Sequence, residues 1–147
     1  SKAGAITTVV RSSAPKGYRN WNSTTSSLFL TGSVKSGATT ESAITKFTNT
    51  FAPTWTTRIT STGPALAASG PSNSFYVALE PTSPVKGLSN FKPIKGQSLV
   101  LQFDSKGGIA SAFTAVDLIQ IKAMVYSQEG GLFVMTESSI FKVGASK

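Results

Sequence analysis

Short runs in which apolar and polar residues exchange places at every step set the strongest limit on what this chain can fold into. In "SFYVALE", residues 74–80, Phe75, Val77 and Leu79 fall on one side of an extended backbone, and Tyr76, Ala78 and Glu80 on the other. In "SLVLQFD", residues 98–104, Leu99, Leu101 and Phe103 oppose Val100, Gln102 and Asp104. A period of two belongs to a strand with one face on a core. Runs of similar length occur at "AITTVVR" (5–11), "SSLFLTGSV" (26–34), "KFTNTF" (46–51), "WTTRITS" (55–61), "LIQIKAMVYS" (118–127) and "GLFVMTESSIFKV" (131–143). Together they predict about eight strands.

Composition agrees with that reading. Serine and threonine make up 40 of 147 residues, and charged residues only 14%. Exposed helix faces draw on Ala, Glu, Lys and Gln, whereas exposed strand faces accept Thr and Ser. The segment 118–127 sets Ile119, Ile121, Ala123 and Val125 against Gln120, Lys122, Met124 and Tyr126, and "SQEGG" then turns the chain back. Two stretches rich in Gly, Pro, Ser and Asn, residues 61–74 and 81–97, read as long surface loops. Short helices are expected at two places. "TTESAITKF" (39–47) offers a threonine cap, and "IASAFTAV" (109–116) places Ile109, Ala112, Phe113 and Val116 on one helical face.

The expected fold is therefore all-β, an antiparallel sandwich of about eight strands with one or two short helices, of jelly-roll or Ig-like Greek-key type. A small closed barrel is the alternative. A chain of 147 residues buries roughly two-thirds of its unfolded surface, enough for one core without disulfides, so residues 1–147 read as a single domain with a basic arm at 1–20. No run of about 18 apolar residues is available to span a bilayer, and no signal peptide is read at the start.

Charge is lopsided. There are 14 Lys and Arg against 6 Asp and Glu, and no histidine, for a net +8. Residues 1–60 hold Lys2, Arg11, Lys16, Arg19, Lys35, Lys46 and Arg58 against Glu41 alone, and so carry +6 of it. An anionic partner for that half is expected, among them RNA, DNA, an acidic membrane surface or an acidic protein face. A basic surface that only keeps the protein in solution is the other reading.

With neither His nor Cys, the commonest general base, the thiolate nucleophile and the usual soft metal ligands are missing. The six carboxylates are scattered, so no catalytic pair, metal site or cofactor is called for. An enzyme would need one carboxylate held protonated, and Glu80 and Asp104 are the first candidates. The S-x-x-K spacing occurs at 13–16, 83–86 and 139–142, but never at the start of a convincing helix that would bring Lys beside Ser. "DSKGG" (104–108) is too short for a calcium loop and reads as a turn.

"APKGYRNWNSTT", residues 14–25, interleaves cations with aromatics. Lys16 and Arg19 suit phosphates, while Tyr18 and Trp21 suit unpaired bases, with Lys2 and Arg11 extending the strip. A carbohydrate-binding module, lectin-like or receptor-binding, would instead lay Trp21 or Tyr18 under a sugar ring and use Asn20 and Asn22 for hydrogen bonds. A third reading tucks both rings partly into the core with the cations reaching outward. Trp55 opens a strand and reads as a core or interface residue. In the second long loop, Phe91, Pro93 and Ile94 form an apolar group suited to an interface.

The basic segment "SKAGAITTVVRSSAPKGYRN", followed by Ser/Thr-rich strands such as "SSLFLTGSV", "SLVLQFDS" and "LFVMTESSIFKV", resembles the coat proteins of small icosahedral RNA viruses, or a projecting domain of one. The resemblance implies a non-enzymatic capsid protein, found in a virion or host cytoplasm. Such a protein packs with copies of itself and neutralises a nucleic acid, here RNA, through its basic N-terminal half.

Overall fold

The computed structural model describes residues 18–23, 27–48 and 50–143. They form β1 (Tyr18–Ser23), β2 (Ser27–Ser36), β3 (Thr39–Thr48), β4 (Pro53–Thr60), β5 (Leu66–Ser69), β6 (Phe75–Leu79), β7 (Leu99–Phe103), β8 (Ile109–Phe113), β9 (Ala123–Ser127), β10 (Gly131–Met135) and β11 (Ile140–Val143). These strands make three antiparallel sheets, ordered β1-β2-β3-β4, β5-β6-β7-β8 and β11-β10-β9. The protein is thus an all-β antiparallel sandwich. Within each described sheet, neighbours in space are neighbours in sequence. This meander order replaces the expected Greek-key crossovers: even β6 and β7, separated by the long segment 80–98, pair directly.

The sheet β5–β8 is the middle layer. Phe75, Val77 and Leu79 of β6 and Leu99, Leu101 and Phe103 of β7 face the four-stranded sheet, where they meet Phe29, Ile44 and Ile59. Tyr76, Ala78 and Val100 face the other way, toward Leu132 and Val134 of the three-stranded sheet. All five residues of β6 are buried, as a strand covered on both sides must be. The period-two assignment of Phe75, Val77 and Leu79 to one face therefore holds, and the opposite face turns out to be core as well.

Several expectations change. Residues 39–47 are strand, not helix. Gly37, at φ 61, makes the tight turn between β2 and β3, and the Thr, Ile and Phe of β3 pair along ten residues of β2. Residues 109–116 contain β8 in place of a helix. A register shift opposite Gln102 and Phe103 turns β8, so that Ile109 packs in one core and Phe113 in the other. That bulge mimics helical spacing. Residues 61–74 hold a fifth strand and a 3-10 turn at Pro71–Asn73. The small Ala67 and Ala68 of β5 sit opposite Val77 and the bulky Tyr76.

The alternation in 118–127 keeps Ile121 against the core of Leu132 and Val134 but is inverted from Ala123 onward. Gln120 takes φ 48, which breaks the run, and β9 begins only at Ala123. Tyr126 then pairs with Leu132 and Met124 with Val134, so these two enter the core, while Val125 is left 62% exposed. Residues 131–143 are two strands, since Thr136 and Ser139 close a turn through backbone and hydroxyl bonds. The strand expected at 5–11 lies outside the described residues.

Candidate functional site

Two of the links between the four-stranded sheet and the middle sheet bound a groove. At one end, the N–H of Thr82 donates to the carbonyl of Thr60 and that of Thr62 to the carbonyl of Glu80, while Ser61 bridges to Pro81. At the other end stands the β7–β8 turn. There the Asp104 carboxylate accepts the N–H groups of Lys106 (2.8 Å) and Gly108 (2.9 Å). Lys46 Nζ donates to the carbonyl of Ser105 at 2.6 Å, fastening the turn to β3.

Gly107 is required in that turn for two reasons. Its φ is +90°, and a Cβ there would come within 2.8 Å of the Trp55 ring. Trp55 lies under the turn, stacked on Phe75 (centroids 5.7 Å apart) and Phe103 (6.0 Å), as expected for a core residue. Its indole Nε1 is buried without a hydrogen-bond partner. The turn covers the ring, so Trp55 is not a stacking platform for a ligand.

Between the two links runs a groove of about 590 Å³. One wall is Thr56–Thr60 of β4, the opposite wall is Ser83–Gly87, and Gly107–Ile109 closes the end. Ile59, Val85 and Phe103, all buried, form its apolar floor. Arg58 and Lys86 are its two charged residues, and no carboxylate lines it. Arg58 is 3.5 Å from Glu41 on β3, yet its side chain keeps 46% of its surface exposed. Backbone N–H bonds, first from Gly108 and then from Lys106, hold Asp104 below the usual carboxylate range and stabilise the anion inside its own turn.

The wall made by β4 is a strand edge with no neighbouring strand among the described residues. Ser61 donates to Thr40 O, so the alternating antiparallel ladder places Ile59, Thr57 and Trp55 in the pairs bonded to β3. The backbone groups of Thr56 and Arg58 then point to the other side, into the groove.

The sequence-predicted residues are distributed as follows. Lys2, Arg11 and Lys16 lie outside the described residues. Tyr18, Arg19 and Trp21 belong to β1, the outer strand of its sheet, with Trp21 opposite Leu30, Tyr18 opposite Gly32, and Arg19 at a register shift between them. Phe91 is half-buried against the aromatic core, Pro93 is half-buried, and Ile94 is 62% exposed. Only Ile94 of the three stands free. Asp104, a candidate for a raised carboxylate, moves in the opposite direction, and Glu80 accepts a bond from the Thr62 hydroxyl at 2.9 Å. Ser83 and Lys86 line the groove, but their segment is irregular, while residues 140–142 of the third S-x-x-K match lie on β11.

Sequence reading missed the groove itself. Arg58 and Lys86 are 28 residues apart, and nothing local marks the edge of β4 as open. Among the described residues, no group of three or more His, Cys, Asp and Glu could hold a metal ion, and no helix is long and apolar enough to cross a membrane. No protein-family model, curated protein or solved structure matches the chain.

Proposed function

We propose that this is a non-enzymatic structural protein of the coat type, which associates with copies of itself and holds nucleic acid through the charge of its first sixty residues. The outer face of the three-stranded sheet is the observation that carries the reading. Val125 is 62% exposed, Met135 43% and Ile140 71%. Cross-strand register makes them one patch, with Phe133 beside Val125 and Met135 beside both Ile140 and Ala123. Contiguous exposed apolar surface of this kind marks an interaction face.

A face of three strands of four or five residues measures on the order of 10 by 17 Å, well short of the roughly 800 Å² each partner contributes to a stable interface. Assembly therefore needs further contacts. A second apolar group supplies them: Ile94 (62% exposed), Val116 (85%) and Ile119 (51%). They are drawn together by Gln97, which bridges to Ile119, donates to Ala115 O at 2.9 Å and bonds back to Ile94 O. Two unlike patches favour repeated head-to-tail contacts, the kind that build rings and shells.

The nucleic-acid part rests on the net +6 of residues 1–60. Binding by phosphate neutralisation releases counterions, so it weakens steeply as salt rises and reads little sequence. Light scattering after size exclusion, with the 260/280 absorbance ratio recorded at about 0.1 M and 1 M salt, tests both parts. A large species carrying nucleic acid that departs at high salt is expected. A clean monomer at both salts overturns the reading, and retention on a sugar column would transfer the chain to the carbohydrate-binding class.

A further inference from the structure

The groove beside β4 has a role that self-association through the three-stranded sheet does not require. Its wall offers the backbone N–H and C=O groups of Thr56 and Arg58, unpaired among the described residues and aligned along an extended strand. Open edges of this kind are templates for another strand, and proteins ordinarily cover or blunt them. Among the described residues nothing pairs with or covers this stretch of the edge, and a trough with room for side chains runs beside it. We propose that the groove is a docking site for an extended acidic segment of another protein, which adds to the four-stranded sheet as a fifth strand beside β4.

Direction and charge both follow from the geometry. Side chains alternate across β4. Trp55, Thr57 and Ile59 point toward the core, whereas Thr56 and Arg58 lie on the opposite face, where the Thr56 hydroxyl meets that of Thr45 and Arg58 meets Glu41. A strand laid alongside would alternate in the same way. Its inward side chains reach the floor of Ile59, Val85 and Phe103 and the side chain of Ile109, which suits Val, Ile or Leu. A residue opposite Arg58 brings its Cβ to about 5 Å, the separation at which an opposite charge stabilises a cross-strand pair. Lys86 on the facing loop adds a second cation, and no lining carboxylate repels an acidic guest.

A second copy of this chain fits poorly by the same criterion. The protein carries +8, and its basic N-terminal segment would meet Arg58 and Lys86 with like charge. The occupant is therefore a partner whose sequence alternates carboxylate and aliphatic residues, recognised through main-chain bonds for affinity and alternate side chains for specificity.

A capped hexapeptide of alternating glutamate and valine is the probe, with its lysine–valine counterpart as control, followed by calorimetry on the whole protein at about 0.1 M salt. The acidic peptide is expected to bind and the basic one not. The double substitution R58Q/K86Q should weaken the acidic peptide by at least about tenfold, the scale of lost charge-assisted contacts. Thr56→Pro should abolish binding, since it removes an outward N–H and not one that serves β3.

Should that variant fail to fold, N-methylated peptides make the same test on the unaltered protein. Methylation of one alternating set of amides should eliminate binding, while methylation of the other set leaves it intact. Equal binding by both methylated peptides, or by the lysine–valine peptide, overturns strand addition. Absence of binding by the acidic peptide overturns the proposal. So does an oligouridylate that binds and is lost in R58Q/K86Q while the peptide shows nothing, which would give the groove to phosphate. Neither result bears on the outer face of the three-stranded sheet, so this inference and the assembly reading fail separately.

Discussion

The two faces of the middle sheet come from the same strands, yet they are filled by different means. Toward the four-stranded sheet, Phe29 lies 3.9 Å from Phe75 by ring centroids, Phe75 lies 5.1 Å from its register partner Phe103, and Trp55 leans on both Phe75 and Phe103. This core holds no ionisable side chain among its buried members. Toward the three-stranded sheet, Ala68, Ala78, Val100, Leu118, Leu132 and Val134 do the packing, with Tyr76 stacked on Tyr126 at 5.9 Å. Much of that second core is rimmed by half-buried residues such as Met124, Phe141 and Val143. A broad sheet seals its side of a layer. A narrow one leaves the rim and its own outer face in water.

The sharpest way to break the difference is to truncate one large side chain in each core. Phe75→Ala empties a site only 1% exposed and bounded by three other rings, and should cost about 3–5 kcal/mol in chemical denaturation. Leu132→Ala, at 0% exposure in the second core, should cost about 2–3 kcal/mol, the low part of the usual range, because its half-exposed neighbours can close over the gap. Equal costs would show that the second core is as rigid as the first.

Ionisation sharpens the comparison further. Burial, helped by the neighbouring Tyr126, lifts the Tyr76 phenol above its ordinary 10.0. Above that value the unfolded chain has released the proton that the folded protein still holds. Stability is thus fully present below pH 10.0 and falls as pH rises through the higher folded value. Unfolding measured from about pH 8 to 11 should show that alkaline loss in the parent and a smaller one in Tyr76→Phe, where only the second core has changed.

The smallest effect on folding belongs to the exposed side of the third sheet. Ile140→Thr, at 71% exposure, should alter stability by no more than about 0.5 kcal/mol. Its mass by light scattering should drop all the same if that face binds a second copy. A fall in stability without a change in mass would return the patch to the fold alone.

Part of this architecture was legible from local pattern. The faces assigned to β6 and β7 are correct because both strands are short, regular and free of bulges over the residues that alternate. The expectation failed where one residue resets the phase. Gln120 at φ 48 reverses which of Val125 and Tyr126 is buried, and the bulge at Ala110, opposite Gln102 and Phe103, gives β8 a spacing that imitates a helix. Of the proposed contact residues, Phe91 is drawn against the aromatic core because an aromatic ring in an irregular loop gains more by packing on apolar neighbours than by facing water. Ile94, between exposed Lys92 and Lys95, has no such shelter.

What the amino-acid order determined alone is the class: strands instead of helices, antiparallel pairs joined by Gly-containing turns, a basic first half and no His or Cys chemistry. Each is a property of a residue or its near neighbours. Only the tertiary structure decided that one sheet would lie between two others, that β4 would be an outer strand among the described residues, and that Arg58 and Lys86 would line one groove beside it. Those outcomes depend on which distant strands stack and where a sheet stops, and backbone periodicity carries no information about either.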